Sequence, residues 1–147
     1  MIRPLLLAAL LPLLSAAATE ARVLKVLPHR LDSQGRHALS PSLYERDAYQ
    51  AELRAHPDRI RGLRIDVLWS LKERTSVPCV LRLELRGSKG TDPVVLERPV
   101  SRGFLRRRWT KVLLDPAEFE KVGDVSAWRV SLRSGGEELA STASFLW

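Results

Sequence analysis

The chain has 147 residues, a formal net charge of +7 and a single cysteine, Cys79. That length suits one domain with a buried core. One cysteine excludes an internal disulfide, and it excludes zinc or iron–sulfur sites built from the cysteines of one chain, so packing alone has to hold the fold together.

The first residues read as an address. Met1-Ile2-Arg3 supplies a positive start, Leu5 to Leu14 is apolar with one proline, and Ser15-Ala16-Ala17-Ala18 offers the small residues that signal peptidase reads. Residues 1–18 are therefore expected to be a signal peptide, leaving 19–147 as a single exported domain. The apolar run is about half of the roughly 20 residues a membrane-crossing helix needs, so no membrane span is expected after cleavage. Loss of Arg3 leaves 23 cationic side chains against 17 acidic ones. The cations are mostly arginine and the chain contains no asparagine, a bias that points to a GC-rich bacterial genome and a periplasmic or extracellular location. A basic exported domain can favour acidic glycans, lipopolysaccharide or anionic membrane surfaces, with export arguing against nucleic acid, but codon bias is the stronger reading of this charge.

In chain order, Ala21 to Leu27 predicts a strand that stops at Pro28. Asp32-Ser33-Gln34-Gly35 is a turn signal. Ser40 to Ala55 is the helical candidate, opened by a capping box of Ser42 and Glu45. Tyr44, Ala48, Ala51 and Ala55 form one stripe on it, Tyr49 and Leu53 a second, and His56-Pro57-Asp58 ends it. So thin an apolar face has to lean on a sheet.

The segment from Gly62 to Lys72 organises the rest. Leu63, Ile65, Val67, Trp69 and Leu71 fall on one face of an extended chain, and Arg64, Asp66 and Ser70 fall on the other. This is the period-2 pattern of a strand with one face buried. Leu68 interrupts the polar face and leaves room for the preceding helix to cover part of it. Cys79, Leu81, Leu83 and Leu85 alternate in the next strand, and residues 87–93 form a loop. Val94 to Glu97 predicts a short strand, with Pro99 suggesting a sheet edge. A basic loop from Ser101 to Arg107 precedes a strand from Trp109 to Leu114, and Asp115-Pro116 opens about one helical turn. Trp128, Val130 and Leu132 then share a face, Ser134-Gly135-Gly136-Glu137 turns, and Leu139 to Trp147 returns. Seven short strands with one inserted α-helix predict a mainly β fold, an antiparallel sandwich of immunoglobulin or fibronectin type. The Cys–Trp–Cys pattern of antibody domains is missing.

No residue set carries an enzyme signature, and a non-catalytic binding or interaction module of the cell envelope is the expected function, with no cofactor. Its expected surface is the helical insert and flanking loop: His37, Tyr44, Arg46, Asp47, Tyr49 and Gln50, because loops and inserts are where sandwiches carry function. The alternative for that surface is a helix that plugs one end of the core through its tyrosines. Two other functions compete. A small hydrolase could use Asp32, His37 and Ser40, although no G-x-S-x-G surrounds any serine. A polyanion site could use the stretch from Arg102 to Lys111, in which Arg102, Arg106, Arg107, Arg108 and Lys111 are interleaved with Phe104 and Trp109, against the simpler reading of a solvated face. Asp115, Glu118, Glu120 and Asp124 follow at once and could neutralise it, and alternation along a strand could send Arg107 to a different face from Arg106 and Arg108. His29 and His37 could meet across the turn with Asp32 as a third metal ligand, against the simpler reading of loop histidines in water. Trp109 and Trp147 are the candidates for an exposed aromatic pair, whereas Trp69, Trp128 and Cys79 are expected in the core.

Overall fold

A computed structural model describes residues 20–101 and 103–147. The expected signal peptide and the candidate Arg102 lie outside the described residues. Seven strands and two helices follow one another as β1 (Ala21–Leu31), α1 (Leu43–Ala55), β2 (Gly62–Leu71), β3 (Cys79–Gly87), β4 (Val94–Val100), β5 (Arg107–Leu113), α2 (Pro116–Val122), β6 (Val125–Ser134) and β7 (Glu137–Ala143). The strands form two antiparallel sheets, one ordered β1-β2-β5 and the other β4-β3-β6-β7.

Alternation decides which faces meet. Leu63, Ile65, Val67, Trp69 and Leu71 of β2 are almost wholly buried, as are Leu81, Leu83 and Leu85 of β3 and Val130 and Leu132 of β6. These side chains form one core with Cys79, Leu96, Val112 and Val122. Trp69 satisfies its only polar atom inside that core by donating from Nε1 to Thr110 Oγ1 at 2.9 Å. The sequence placed Cys79 correctly. It is buried and its sulfur lies 3.3 Å from the Thr75 hydroxyl.

The strand stop expected at Pro28 was misplaced, whereas the sheet edge that Pro99 suggested is present, with the strand itself running past Glu97. β1 runs through Pro28 to Leu31 and β4 runs through Pro99 to Val100. Each strand lies at the edge of its sheet, where one row of N–H groups has no ladder partner, so a missing donor is tolerated. A register shift between Val23 and Lys25 bends β1 near its start. The expected return to Trp147 is shorter, because β7 ends at Ala143.

Ser42 caps α1 by accepting from the Glu45 N–H at 3.4 Å, but Glu45 turns to the Ser40 hydroxyl, so only half of the expected capping box forms. The complete box belongs to α2, where Asp115 accepts from the Glu118 N–H at 2.8 Å and Glu118 accepts from the Asp115 N–H at 3.0 Å. Gly135 and Gly136 both have positive φ, 57° and 83°, which fits the two-residue hairpin joining β6 to β7.

One glycine is required by contact rather than by φ. A Cβ on Gly87, at the end of β3, would sit 2.0 Å from the Val122 carbonyl oxygen and 2.8 Å from that of Asp124. Both atoms are backbone and cannot swing away. Gly87→Ala is expected to lower stability by about 2–3 kcal/mol, measured by urea denaturation. Gly62→Ala, where φ is not positive and a Cβ would meet only the Leu31 side chain at an ordinary 3.4 Å, tests whether the loss comes from contact or from glycine replacement in general.

Candidate functional site

The insert between β1 and β2 is held by side chains that sequence reasoning had assigned to a binding surface. Gln50 is buried on α1 and faces the free edge of β1. Its Oε1 accepts from the Arg30 N–H at 2.8 Å, and its Nε2 donates to the Arg30 carbonyl at 2.9 Å and to the His37 carbonyl at 2.8 Å. The side-chain amide thus substitutes for a neighbouring strand and closes that stretch of edge. Tyr49, also buried, donates its hydroxyl to Asp32 Oδ2 at 2.7 Å. Asp32 further accepts from the backbone N–H groups of Gln34 and Arg36 at 2.8 and 2.9 Å, and from Arg36 Nε at 2.9 Å. Burial alone would raise the Asp32 carboxyl, but the bonds from Tyr49, Arg36 and Gln34 outweigh it and hold the group far below the usual carboxylate range. Tyr49 and Gln50 are therefore plugs and clamps, a correction to the expected surface. Leu53 packs beside Tyr49, against Ile60 and Phe119.

The rest of the insert is outward. Tyr44 is 84% exposed, and Asp47 is a surface carboxylate that accepts from Arg46 Nε and Nη2 at 2.9 and 2.7 Å. Arg46 lines a groove with His37 and Leu43.

His29 and His37 do meet, with ring centroids 5.0 Å apart. They do not gather around Asp32, which is taken up by Tyr49 and the turn. His29 Nε2 instead lies 3.5 Å from Asp66 Oδ2, and Asp66 is held by Arg64 Nε and Nη2, both at 2.9 Å. No cluster of three or more His, Cys, Asp or Glu side chains suited to a metal ion occurs among the described residues. Nor does a hydrogen bond among the described residues join His37 to Asp32 or to Ser40, whose hydroxyl goes to Glu45.

Strand register builds a second surface on the outer face of the β1-β2-β5 sheet. Arg22, Ser70 and Arg107 pair across the three strands in one row, Lys25, Leu68 and Trp109 in the next, and Leu27, Asp66 and Lys111 in the third. Trp109 is 49% exposed. At the first row an open cleft of about 280 Å³ is bordered by Arg22, Lys72, Arg106 and Arg107, with Glu20 the one acid. Glu20 lies 3.2 Å from Lys72 Nζ and 3.4 Å from Arg22 Nη2. Among the described residues no carboxylate is in ion-pair range of Lys25, Arg106, Arg107, Arg108 or Lys111. Among the described residues of this region, the acids after residue 114 neutralise only Arg98, through Glu118 at 2.7 and 2.8 Å.

Register also separates the arginines. Arg107 shares the outer face with Trp109 and Lys111, whereas Arg108 pairs with Trp69 on the core side, its guanidinium against Gly103. Trp147 lies under Arg86, 5.0 Å from its guanidinium carbon, on the opposite sheet, so it makes no pair with Trp109. Arg22, Ser70 and Lys72 were missed by sequence reasoning, which held Arg107 within the Arg102–Lys111 stretch, because one sequence shows which residues alternate but not which strands pair. Compared with known protein families, curated proteins and solved structures, the chain matches none of them.

Two outcomes follow from the insert. Gln50→Leu keeps the volume but strands three backbone groups, and is expected to cost about 2 kcal/mol, read by chemical denaturation. The buried His29 is held neutral, with its pKa lowered to about 4 by burial first and then by His37, Arg64 and Arg46, while Asp66 opposes. The unfolded chain protonates this ring at higher pH than the folded one. Its stabilising effect is complete above the unfolded value and is lost as pH falls from about 6.5 to about 4. Denaturation at pH 7, 5.5 and 4 should show a progressive loss of on the order of 2–3 kcal/mol. His29→Gln should flatten that dependence without abolishing it, since the His37 pKa is lowered too.

Proposed function

We propose that this chain is a non-catalytic, exported binding module of the bacterial envelope that takes anionic groups on the outer face of its three-stranded sheet. The observation that carries the reading is the difference between the two outer faces. On the four-stranded sheet, charges cancel: Arg82 pairs with Glu97 at 3.0 Å, Arg129 with Glu84 and Glu138 at 2.9 Å each, and Arg133 with Glu138 at 3.7 Å. On the three-stranded sheet, Lys25, Arg107 and Lys111 stand around Trp109 and Leu68 with Asp66 already bound to Arg64. Unpaired cations beside an aromatic ring suit phosphate, sulfate or carboxylate groups carried on an envelope polymer or lipid.

Export is supported by the apolar run before Ser15. The non-catalytic reading is supported by the prior commitments of Asp32 and Ser40. A fibronectin-like classification is supported by the strand order, which is that of the immunoglobulin constant type with the fourth strand moved to the second sheet.

Heparin chromatography tests the face. Arg106→Glu with Arg107→Glu should abolish retention, whereas Arg54→Glu with Lys121→Glu, the same change of net charge elsewhere, should leave most of it. Equal losses in the two variants would reduce the binding to net charge and overturn the reading. A second reading keeps the insert as a protein-docking surface, favoured by Leu39, Leu43 and Tyr44, all well exposed there. Pull-down from envelope extract that survives the Arg106/Arg107 change but fails in Tyr44→Ser with Leu43→Ser would select it.

A further inference from the structure

The loop between β4 and β5 ends in two side chains that the fold itself does not use. Phe104 is 94% exposed and Leu105 is 67% exposed. The loop is not detached from the body, because the Leu71 N–H donates to the Arg106 carbonyl at 3.1 Å, tying the base of the tip to the end of β2. The neighbouring β2–β3 loop presents Val77, also exposed, and the two loops border a common groove through Arg74, Val77, Ser101 and Gly103. Arg106 and Arg107 follow Leu105 directly and open into the basic cleft shared with Arg22 and Lys72. Glu20 lies at the same end, and its carbonyl accepts from the Lys72 N–H at 2.9 Å.

Apolar side chains at a tip, with cations set just behind them, match a layered partner. An anionic bilayer offers phosphates at the surface and hydrocarbon several ångströms below. A soluble polyanion would use the cations and leave Phe104 and Leu105 in water. We propose that this end of the sandwich docks on an anionic membrane surface, with Phe104 and Leu105 entering the boundary between headgroups and acyl chains while Arg22, Lys72, Arg106 and Arg107 hold lipid phosphates. This rests on the reading of the basic cleft as an anion site, and it names the source of the anions.

Co-sedimentation with vesicles tests it on the purified chain, with heparin retention measured on the same preparations. Wild type should pellet with phosphatidylcholine vesicles containing about one quarter phosphatidylglycerol, and not with phosphatidylcholine alone. Phe104→Ser with Leu105→Ser should weaken vesicle affinity about tenfold or more while heparin elution and thermal melting stay unchanged. Both positions are exposed, so folding is not at stake. Vesicle binding that ignores the serine pair overturns insertion. Retention on heparin without vesicle binding overturns the membrane as partner and leaves the cleft to a soluble polyanion. Loss of both in wild type removes the cleft reading itself. Self-association that the serine pair abolishes, without vesicle binding, would assign the tip to a second copy and overturn the proposal.

Discussion

A three-stranded sheet has two edges and one strand between them, and the inner face of that strand seals this molecule. The five alternating side chains from Leu63 to Leu71 are almost wholly buried, and the opposing sheet supplies Leu81, Leu83, Leu85, Val130 and Leu132 to meet them. Trp69 fixes the packing most tightly, since its bulk needs space from both sheets and its indole N–H needs Thr110 on β5. Arg30 extends the same closure to one end of the sandwich. Its Nε lies 2.6 Å from Asp124 Oδ1 and its Nη2 donates to Oδ2 at 3.1 Å, joining the end of β1 to the turn before β6.

The two edges of that sheet have opposite treatments. β1 is closed at Arg30 by the Gln50 amide, and α1 lies against it. β5 pairs only with β2 and carries Arg107, Arg108 and Lys111. Cations on a free edge discourage pairing with another strand, so protection of the edge accounts for part of this composition. It does not account for the outer-face row in which Lys25 of the opposite edge stands across Leu68 from Trp109, with no carboxylate in ion-pair range of Lys25 among the described residues. The other sheet shows that the chain can place glutamates opposite arginines where the surface only has to be solvated.

Period-2 alternation made the strands legible, because each buries one face against a common core and the pattern needs no partner to be seen. The stop at Pro28 was misjudged for a physical reason: proline stops a strand only where its N–H is wanted, and β1 is an edge strand, as β4 is around Pro99, where the edge was anticipated. Tyr49 and Gln50 were misjudged in the same way. A polar residue on a thin helix looks like surface until the unpaired Arg30 backbone it satisfies is brought beside it. The cleft was invisible for a further reason. Arg22, Ser70 and Arg107 are far apart in sequence, and only the pairing of β1 and β5 with β2 sets them in one row.

In the anion site proposed for the cleft, Glu20 is the group that would set selectivity. Lys72, by hydrogen bond and by charge, and then Arg22 lower its pKa, so it stays ionised and occupies two of the four cations that border the cleft. An incoming anion has to draw Lys72 and Arg22 away from that carboxylate. Such exchange is cheap, because an exposed ion pair is weak and screened by salt. It is nevertheless a cost that a single small anion recovers poorly and a multivalent array recovers repeatedly, since among the described residues no carboxylate is in ion-pair range of Arg106 or Arg107, although the Arg106 charge also acts on Glu20. The geometry therefore favours a repeating anionic surface over an isolated ion, with the arginines of the β4–β5 junction making the encounter and the Glu20-bound pair joining after it.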